Sequence, residues 1–285
     1  KLELLNEEIS GFYNRGDNIV MSSHIDAPIY PLNLLHSGNY FHLLVEHLPR
    51  FIKLKQDGVI KRDVVIVLGR QHKNLLDAFF LANNDENQLT LLESGNRLSS
   101  PRVIGSSGSF QQFELKDKTM PSKASVCRES LTFARHYFWK KLGLNARKRK
   151  LRPGKKLFVL RNSTQRNLLN INELASLARQ HNFELIQPEL LTFREQAQVF
   201  SEAETVIGPT GAWLANLIFL RPEAIVHILN PITCKTVTSP WKRIGDVFGI
   251  SVTDYYSKNI VLNEFQPIHS SFTFSAEELG EILKQ

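Results

Sequence analysis

Most of the short motifs that would announce a chemistry are missing from this chain. It has no Gly-x-Ser-x-Gly elbow, no His-Glu-x-x-His and no Walker lysine motif, so serine hydrolase, zincin and P-loop NTPase chemistries lack their residues. Asp-x-Asp is absent as well, which disfavours a sugar-nucleotide enzyme that grips a metal by that motif. Cysteine is scarce. Cys127 and Cys234 stand far apart, without Cys-x-x-Cys or nearby histidine spacing, so neither zinc nor a redox pair is indicated. The expectation is two buried, reduced thiols, which suits a cytoplasmic compartment. No apolar run approaches the roughly 20 residues of a membrane-spanning helix, and KLELLNEEIS lacks the charged-then-apolar plan of a signal peptide. The chain starts at Lys1 and not at Met, which leaves a preceding segment open. Repeats with a period of about 20 to 50 residues and low-complexity tracts are missing too, which excludes solenoids and disordered arrays.

What is present points to an α/β protein. With 285 residues and 42% hydrophobic side chains, the chain can bury an extended core, and its length favours two domains. The net charge of +7 is concentrated: Ala146 to Lys156 holds seven basic residues and no acidic one. This segment reads either as a solvated interdomain linker or as a basic patch, with Arg147, Lys148, Arg149 and Lys150 meeting anionic lipid heads or a pyrophosphate-bearing substrate. No RNA- or DNA-recognition pattern surrounds it, so nucleic acid is not an expected partner.

In the first half, hydrophobic periodicity predicts strands at NIVMSSHI, DVVIVLG, LTLLE and RVIG, and helices at GNYFHLLVEHLPRFIKLKQ, HKNLLDAFFLANN and SLTFARHYFWKKLGL. The second half alternates more regularly, with strands KLFVLRN, FELIQP, TVIG, AIVHILN and SVTDYYS separated by helices of about ten residues. Such alternation implies parallel pairing through right-handed crossovers, a doubly wound sheet whose ligand sits at the carboxyl ends of its strands.

Two constellations carry candidate chemistry. In TVIGPTGAWLANLIFLRP, a tight turn follows a strand. Gly208 and Gly211 let the backbone approach a ligand, Thr210 can cap the following helix, and that helix would begin at Ala212 as an anion seat. Glycines that merely permit close helix–sheet packing are the plainer reading. Arg161 and Arg166 fall in the loop after the half's first strand, where guanidinium forks suit phosphate oxygens, unless Glu173 or Glu195 neutralises them. Asn216 is the one polar residue of an otherwise apolar helix, and its buried amide should hold the loop or a ligand. In GNYFHLLVEHLPRF, a turn of about 100° per residue places Asn39, His42, Glu46 and Arg50 on one face, opposite Phe41, Leu44, Val45, Leu48 and Phe51. His42 and Glu46 form an i,i+4 pair able to exchange protons, and Pro49 should kink or end the helix nearby. A solvated polar face is the alternative.

Three stretches, NYFHLLVEHLPRF, RNSTQRNLLNINEL and FSEAETVIGPTGAWLANLIFLRP, together resemble glycosyltransferase family 61, in its bacterial, capsular-polysaccharide form. The resemblance implies a GT-B fold, two Rossmann-like domains with parallel sheets facing a central cleft. Residues 1–145 would bind the acceptor and 155–270 the nucleotide sugar, with a C-terminal helix in 271–285 packing back on the first domain. It implies an inverting transfer that needs no metal or other cofactor, from a nucleoside-diphosphate donor, with UDP the expected nucleotide, to a surface-polysaccharide or lipid-linked saccharide. Arg161, Arg166, Gly208, Thr210, Gly211, Ala212 and Asn216 would lie on the donor side. His42 and Glu46 would be the catalytic pair, either one the base, with Asn39 and Arg50 facing the acceptor. The Asn-Ser-Thr sequon at Asn162 falls inside the diphosphate loop, where a glycan would block the site, so the expected setting is cytoplasmic, peripheral on the inner face of a bacterial membrane. A non-catalytic nucleotide- or carbohydrate-binding module of the same fold and a GT-B-like sugar-nucleotide epimerase are the competing readings.

Overall fold

The computed structural model describes residues 22–33, 39–69, 73–84, 86–92, 97–105, 110–113, 123–144, 154–161, 163, 165–235 and 240–284. Its first half builds a small parallel sheet. Ser22–His24 (β1) pairs with Arg97–Ser99, and Ile29–Asn33 (β2), Val65–Gly69 (β3) and Leu89–Leu92 (β4) line up side by side in chain order. Arg97–Ser99 is therefore β5. All five residues of β3 are buried, as expected for a central parallel strand covered on both faces. Helices Leu48–Gln56 (α1) and Lys73–Asn83 (α2) connect these strands. An antiparallel hairpin, Phe110–Phe113 (β6) with Lys123–Val126 (β7), leads into Arg128–Lys141 (α3). The expected strand at RVIG is reduced to one bridge, Val103 with Ile29.

The second half runs Lys155–Val159 (β8), Ile171–Gln180 (α4), Glu184–Ile186 (β9), Phe193–Glu202 (α5), Ala203–Pro209 (β10), Ile225–Pro231 (β11), Pro240–Phe248 (α6) and Ser251–Ser257 (β12). The five strands are parallel, in the spatial order β12-β11-β10-β8-β9. The winding reverses between β8 and β10, and the crevice at the carboxyl ends of those two strands is where such sheets bind ligands. Sequence chemistry sets the helix boundaries: Thr192 and Glu195 close a reciprocal capping box at the start of α5.

The segment after β10 departs from expectation. Ala212–Ile218 winds as a 3-10 helix, with the Leu214 N–H returning to the Gly211 carbonyl. It is buried, and its far end is held by the first half. Arg135 of α3 donates to the Leu220 carbonyl at 2.6 Å, and the Trp139 indole donates to the Ile218 carbonyl at 3.3 Å. The Arg135 guanidinium lies over the Trp139 and Phe248 rings at 5.0 and 4.8 Å, and burial lowers its pKa to about 10, so it is still charged at neutral pH.

One buried cluster runs through both halves, joining Tyr30, Leu44, Phe51, Phe79 and Phe138 to Leu157, Phe193, Phe200, Leu214 and Phe219. The Phe138 ring meets Phe193 and Phe219 edge-on. A second cluster covers the other face of the larger sheet. There the hairpin Ile260–Val261 (β13) with Ser271–Phe272 (β14) and the helix Ala276–Leu283 (α7) pack. The last helix therefore differs from the expectation that it returns to the first half. Leu279, Ile282 and Leu283 bury against residues that include Leu174, Ala175 and Ala178, because α4 presents the complementary apolar stripe.

Both cysteines are free thiols, but Cys127 is exposed at the start of α3, where the Ser130 hydroxyl reaches its sulfur at 3.2 Å. Only Cys234 is partly buried. Among the described residues no helix is long and apolar enough to cross a membrane. The basic residues Arg147 to Lys150, Gly38 and the sequon residue Asn162 lie outside the described residues.

Gly208 has no room for a side chain. A Cβ there would stand 2.7 Å from the Cβ of Val159 on the neighbouring strand. Gly208→Ala is expected to cost about 1–3 kcal/mol by overpacking, measured by chemical denaturation; unchanged stability would show that β8 and β10 can separate at this level.

Candidate active site

At the reversal point, β8 gives way to Leu160 and Arg161, and the Arg161 side chain folds across the turn that ends β10. Its Nη1 donates to the Thr210 carbonyl at 2.9 Å and to the Arg166 carbonyl at 3.3 Å, and its Nη2 to the Ser163 hydroxyl at 3.0 Å. Gly211 makes this approach possible, since a Cβ there would lie 2.8 Å from Nε and 3.0 Å from Cδ of Arg161. Its backbone is extended (φ 177), so space and not conformation requires the glycine. The Thr210 N–H bonds the Leu229 carbonyl of β11 at 2.9 Å, and the Trp213 indole bonds the Pro209 carbonyl at 2.7 Å. No side chain caps the 3-10 helix. The capping role expected of Thr210 is not seen; its backbone, held between Arg161 and β11, is what shapes the elbow.

Arg166 sits beside this cation with its backbone in the left-handed region (φ 53), a conformation held by its N–H bond to the His269 carbonyl at 3.1 Å. Among the described residues its Nε is buried without a hydrogen-bond partner, and so are His269 Nδ1 and Thr233 Oγ1. Burial, helped by the neighbouring Arg166, lowers the Arg161 pKa to about 10, and the guanidinium stays charged at neutral pH. Burial and the same two arginines also hold the His269 imidazole low. The acids that would neutralise the pair are engaged elsewhere: Glu173 accepts from Asn170, and Glu195 caps Thr192. Neither arginine forms an ion pair among the described residues. Glu189 lies within electrostatic reach, but its carboxyl is pushed up by burial, against the pull of its own backbone hydrogen bond and of Arg161. An anion at the strand ends would satisfy both the charge and the orphaned donors. Thr233 and His269 belong to no sequence motif. Only the position of Thr233 just past a strand's carboxyl end could have flagged it.

On the first half, His42 Nδ1 and Glu46 Oε2 are 2.7 Å apart, with side chains 22% and 20% exposed. His42–His47 wind as a π-helix, and Pro49 falls in the first turn of α1. A proline ring clashes with the carbonyl four residues back in a regular helix, and the wider turn relieves that contact. Leu43, Leu44, Val45 and Leu48 bury the opposite face. Burial pushes the Glu46 carboxyl up, but the His42 hydrogen bond and the charges of His47, His42 and Arg50 outweigh it and hold the group below the ordinary carboxylate range. An ionised Glu46 takes the proton-bearing Nδ1 of His42, which makes Nε2 the basic nitrogen of the ring. The rest of the stripe turns toward its own helix. Arg50 donates through Nε to the Glu46 carbonyl and through Nη2 to His47 Nδ1, both at 2.8 Å. Exposed Asn39 accepts from the Phe41 N–H at 3.0 Å.

A buried polar link ties the two constellations together. The Tyr40 hydroxyl donates to Asn216 Oδ1 at 2.8 Å, and Asn216 Nδ2 donates to Gln196 Oε1 at 3.0 Å. Asn216 is 0% exposed, and burial pushes the Tyr40 hydroxyl pKa far up. Asn216, expected among the donor contacts, thus joins the 3-10 helix that starts at Ala212 to the helix that carries His42. Phe41 closes the same seam, its ring 4.6 Å from that of Trp241. Among the described residues no group of three or more His, Cys, Asp or Glu side chains is placed to hold a metal ion.

Two substitutions probe these placements. Gly211→Ala is expected to displace the Arg161 side chain and weaken pyrophosphate binding about tenfold or more in calorimetry, while thermal stability shifts by only a few degrees or so; unchanged affinity would detach the elbow from the anion. The folded Glu46 carboxyl is held below its unfolded value. Its pairing therefore stabilises the fold above the ordinary carboxylate pKa, and that contribution is lost as pH falls through the folded value. Glu46→Gln should show a deficit in thermal stability at neutral pH that closes on acidification, and a deficit of constant size would contradict the charge pairing.

The sequence profile of the family described as Glycosyltransferase 61 matches residues 40–227, from the tyrosine of the buried link to the third residue of β11. No curated protein matches the chain. The profile takes in both arginines, the glycine elbow and the His42–Glu46 pair, over some two thirds of the length, and the chain belongs to glycosyltransferase family 61 and is a glycosyltransferase.

Proposed function

We propose that this enzyme moves a sugar from a nucleoside diphosphate, with UDP as the nucleotide, to a hydroxyl of a saccharide acceptor, inverting the anomeric carbon. The observation that carries the reading is the Arg161–Arg166 pair, two cations without a described ion-pair partner at the switch point of the sheet. The second half holds the donor there, with its diphosphate against the two guanidiniums and the amides of Gly211 and Ala212 beside it. In this reading the halves correspond to the lobes of a GT-B enzyme, residues 1–145 on the acceptor side and 155–270 on the donor side.

The acceptor hydroxyl approaches C1 from the face opposite the diphosphate. His42 Nε2 takes its proton, the oxygen bonds to C1, and the C1–O bond to the diphosphate breaks with its electron pair left on the leaving group. Glu46 holds the imidazole in the required tautomer and stabilises the imidazolium that forms. The arginines meet the growing charge on the diphosphate, the part a metal plays in other transferases. The acceptor is a surface-polysaccharide precursor carried on a lipid, reached from the cytoplasmic side, with the basic segment around Arg147 to Lys150 near anionic headgroups.

Single-turnover rates with UDP-sugars test the assignment. Arg161→Ala is expected to lower the rate about 10²- to 10³-fold and to weaken UDP binding. His42→Ala should lower it about 10²- to 10⁴-fold with UDP affinity intact. Full rate in His42→Ala removes that residue as the base, and unaltered UDP affinity in Arg161→Ala removes the arginine from the donor site.

A further inference from the structure

Among the described residues, four exposed apolar side chains gather at the β13–β14 hairpin and the loop that closes it. Val261, Leu262, Phe265 and Ile268 are 61, 55, 97 and 43% exposed, and Leu169 stands next to the hairpin, its N–H bonded to the Phe272 carbonyl. Isolated apolar residues on a surface are ordinary, but this many within one short loop mark a contact site.

The loop is built to keep its shape. Asn263 Oδ1 accepts the N–H groups of Phe265 and Gln266, Ser270 Oγ accepts the N–H of Asn263, and the N–H groups of His269 and Ser270 close on the Gln266 and Pro267 carbonyls. The amides of Asn263, Phe265, Gln266, His269 and Ser270, satisfied within the loop, would not be stranded on entering a less polar medium. Its base rests on the candidate site: the His269 carbonyl holds the Arg166 N–H, and the Ile268 carbonyl faces the Cys234 thiol at 3.6 Å. Cations flank it. Lys258 precedes β13 and Lys235 follows Cys234, both exposed, while Glu264 is the one acid between Lys258 and Phe272.

We propose that the loop from Lys258 to His269 is a wedge that seats in the headgroup region of an anionic lipid bilayer, so that the site's mouth faces the membrane. Apolar side chains at the tip with lysines behind them match that interface, where burial of apolar area and attraction to anionic headgroups add. A dimer contact calls for roughly 800 Å² per partner on a broad complementary face, whereas the exposed apolar side chains here are confined to one short loop. The wedge deepens the lipid-linked acceptor reading and rests on it for its purpose, though not for its measurement.

The test is flotation of the full chain with vesicles of phosphatidylcholine alone and of phosphatidylcholine with about a third phosphatidylserine. Wild type is expected to bind the anionic vesicles and to come off as salt rises. The double variant Leu262→Asp, Phe265→Asp should lower partitioning about tenfold or more, and Lys258→Glu should weaken binding to anionic vesicles only. Thermal stability and UDP affinity are expected to stay at wild-type values in each variant, so loss of UDP binding by wild type speaks against the donor site and leaves the wedge untouched. The wedge is overturned if wild type ignores anionic vesicles, if the double variant binds as well as wild type, or if ultracentrifugation shows a dimer that Phe265→Asp dissolves.

Discussion

A half-buried guanidinium held against carbonyl oxygens, beside a second guanidinium and with no described carboxylate at ion-pair distance, is unfavourable to folding, a cost that a bound anion would offset. Much of the second half can be read as the scaffold that tolerates this arrangement. The sheet order puts the ends of β8 and β10 side by side. The Leu229 carbonyl holds the elbow from one flank and Trp213 from the other. The left-handed backbone of Arg166 turns its carbonyl toward Arg161 and its amide toward His269. These contacts hold the elbow in place, and in the proposed transfer donors already in place would need no reorganisation as charge develops on the leaving group.

The first half enters this scheme through packing. Arg135 and Trp139 close one end of the 3-10 helix, and Tyr40 reaches its middle through Asn216. The histidine two residues after Tyr40 is therefore positioned by the same buried network that shapes the elbow, and the shared core makes that relation a property of the folded chain itself. The π-helical turn belongs to the same logic. It absorbs Pro49 while keeping His42 and Glu46 in register, and an irregular turn of this kind persists only where its surroundings hold it in place.

How much of this was legible in the sequence follows from which interactions are local. Strands β8 to β12 and their helices announce themselves by period and by end signals; the capping box at Thr192 is complete within four residues, and β12 coincides with SVTDYYS. Strand β2 was hidden by Pro31, which an edge strand accepts and a pattern search penalises. The run after Gly211 reads as an ordinary helix because its apolar composition records burial, whereas its tight winding is enforced from both ends by Pro209, Arg135 and Trp139, none of them inside it. Asn216 could be recognised as needing partners, but Tyr40 and Gln196 lie 176 and 20 residues away. The placement of α7 and the exposure of Cys127 depended likewise on tertiary neighbours.

Positions 161 and 211 are not independent sites. While the guanidinium crosses the elbow, nothing larger than hydrogen fits at 211, and a lone methyl there would evict the cation without touching any other charge. Any descendant of this chain that acquires a side chain at 211 must re-route or replace the arginine in the same step, so the two positions are bound to drift as a pair.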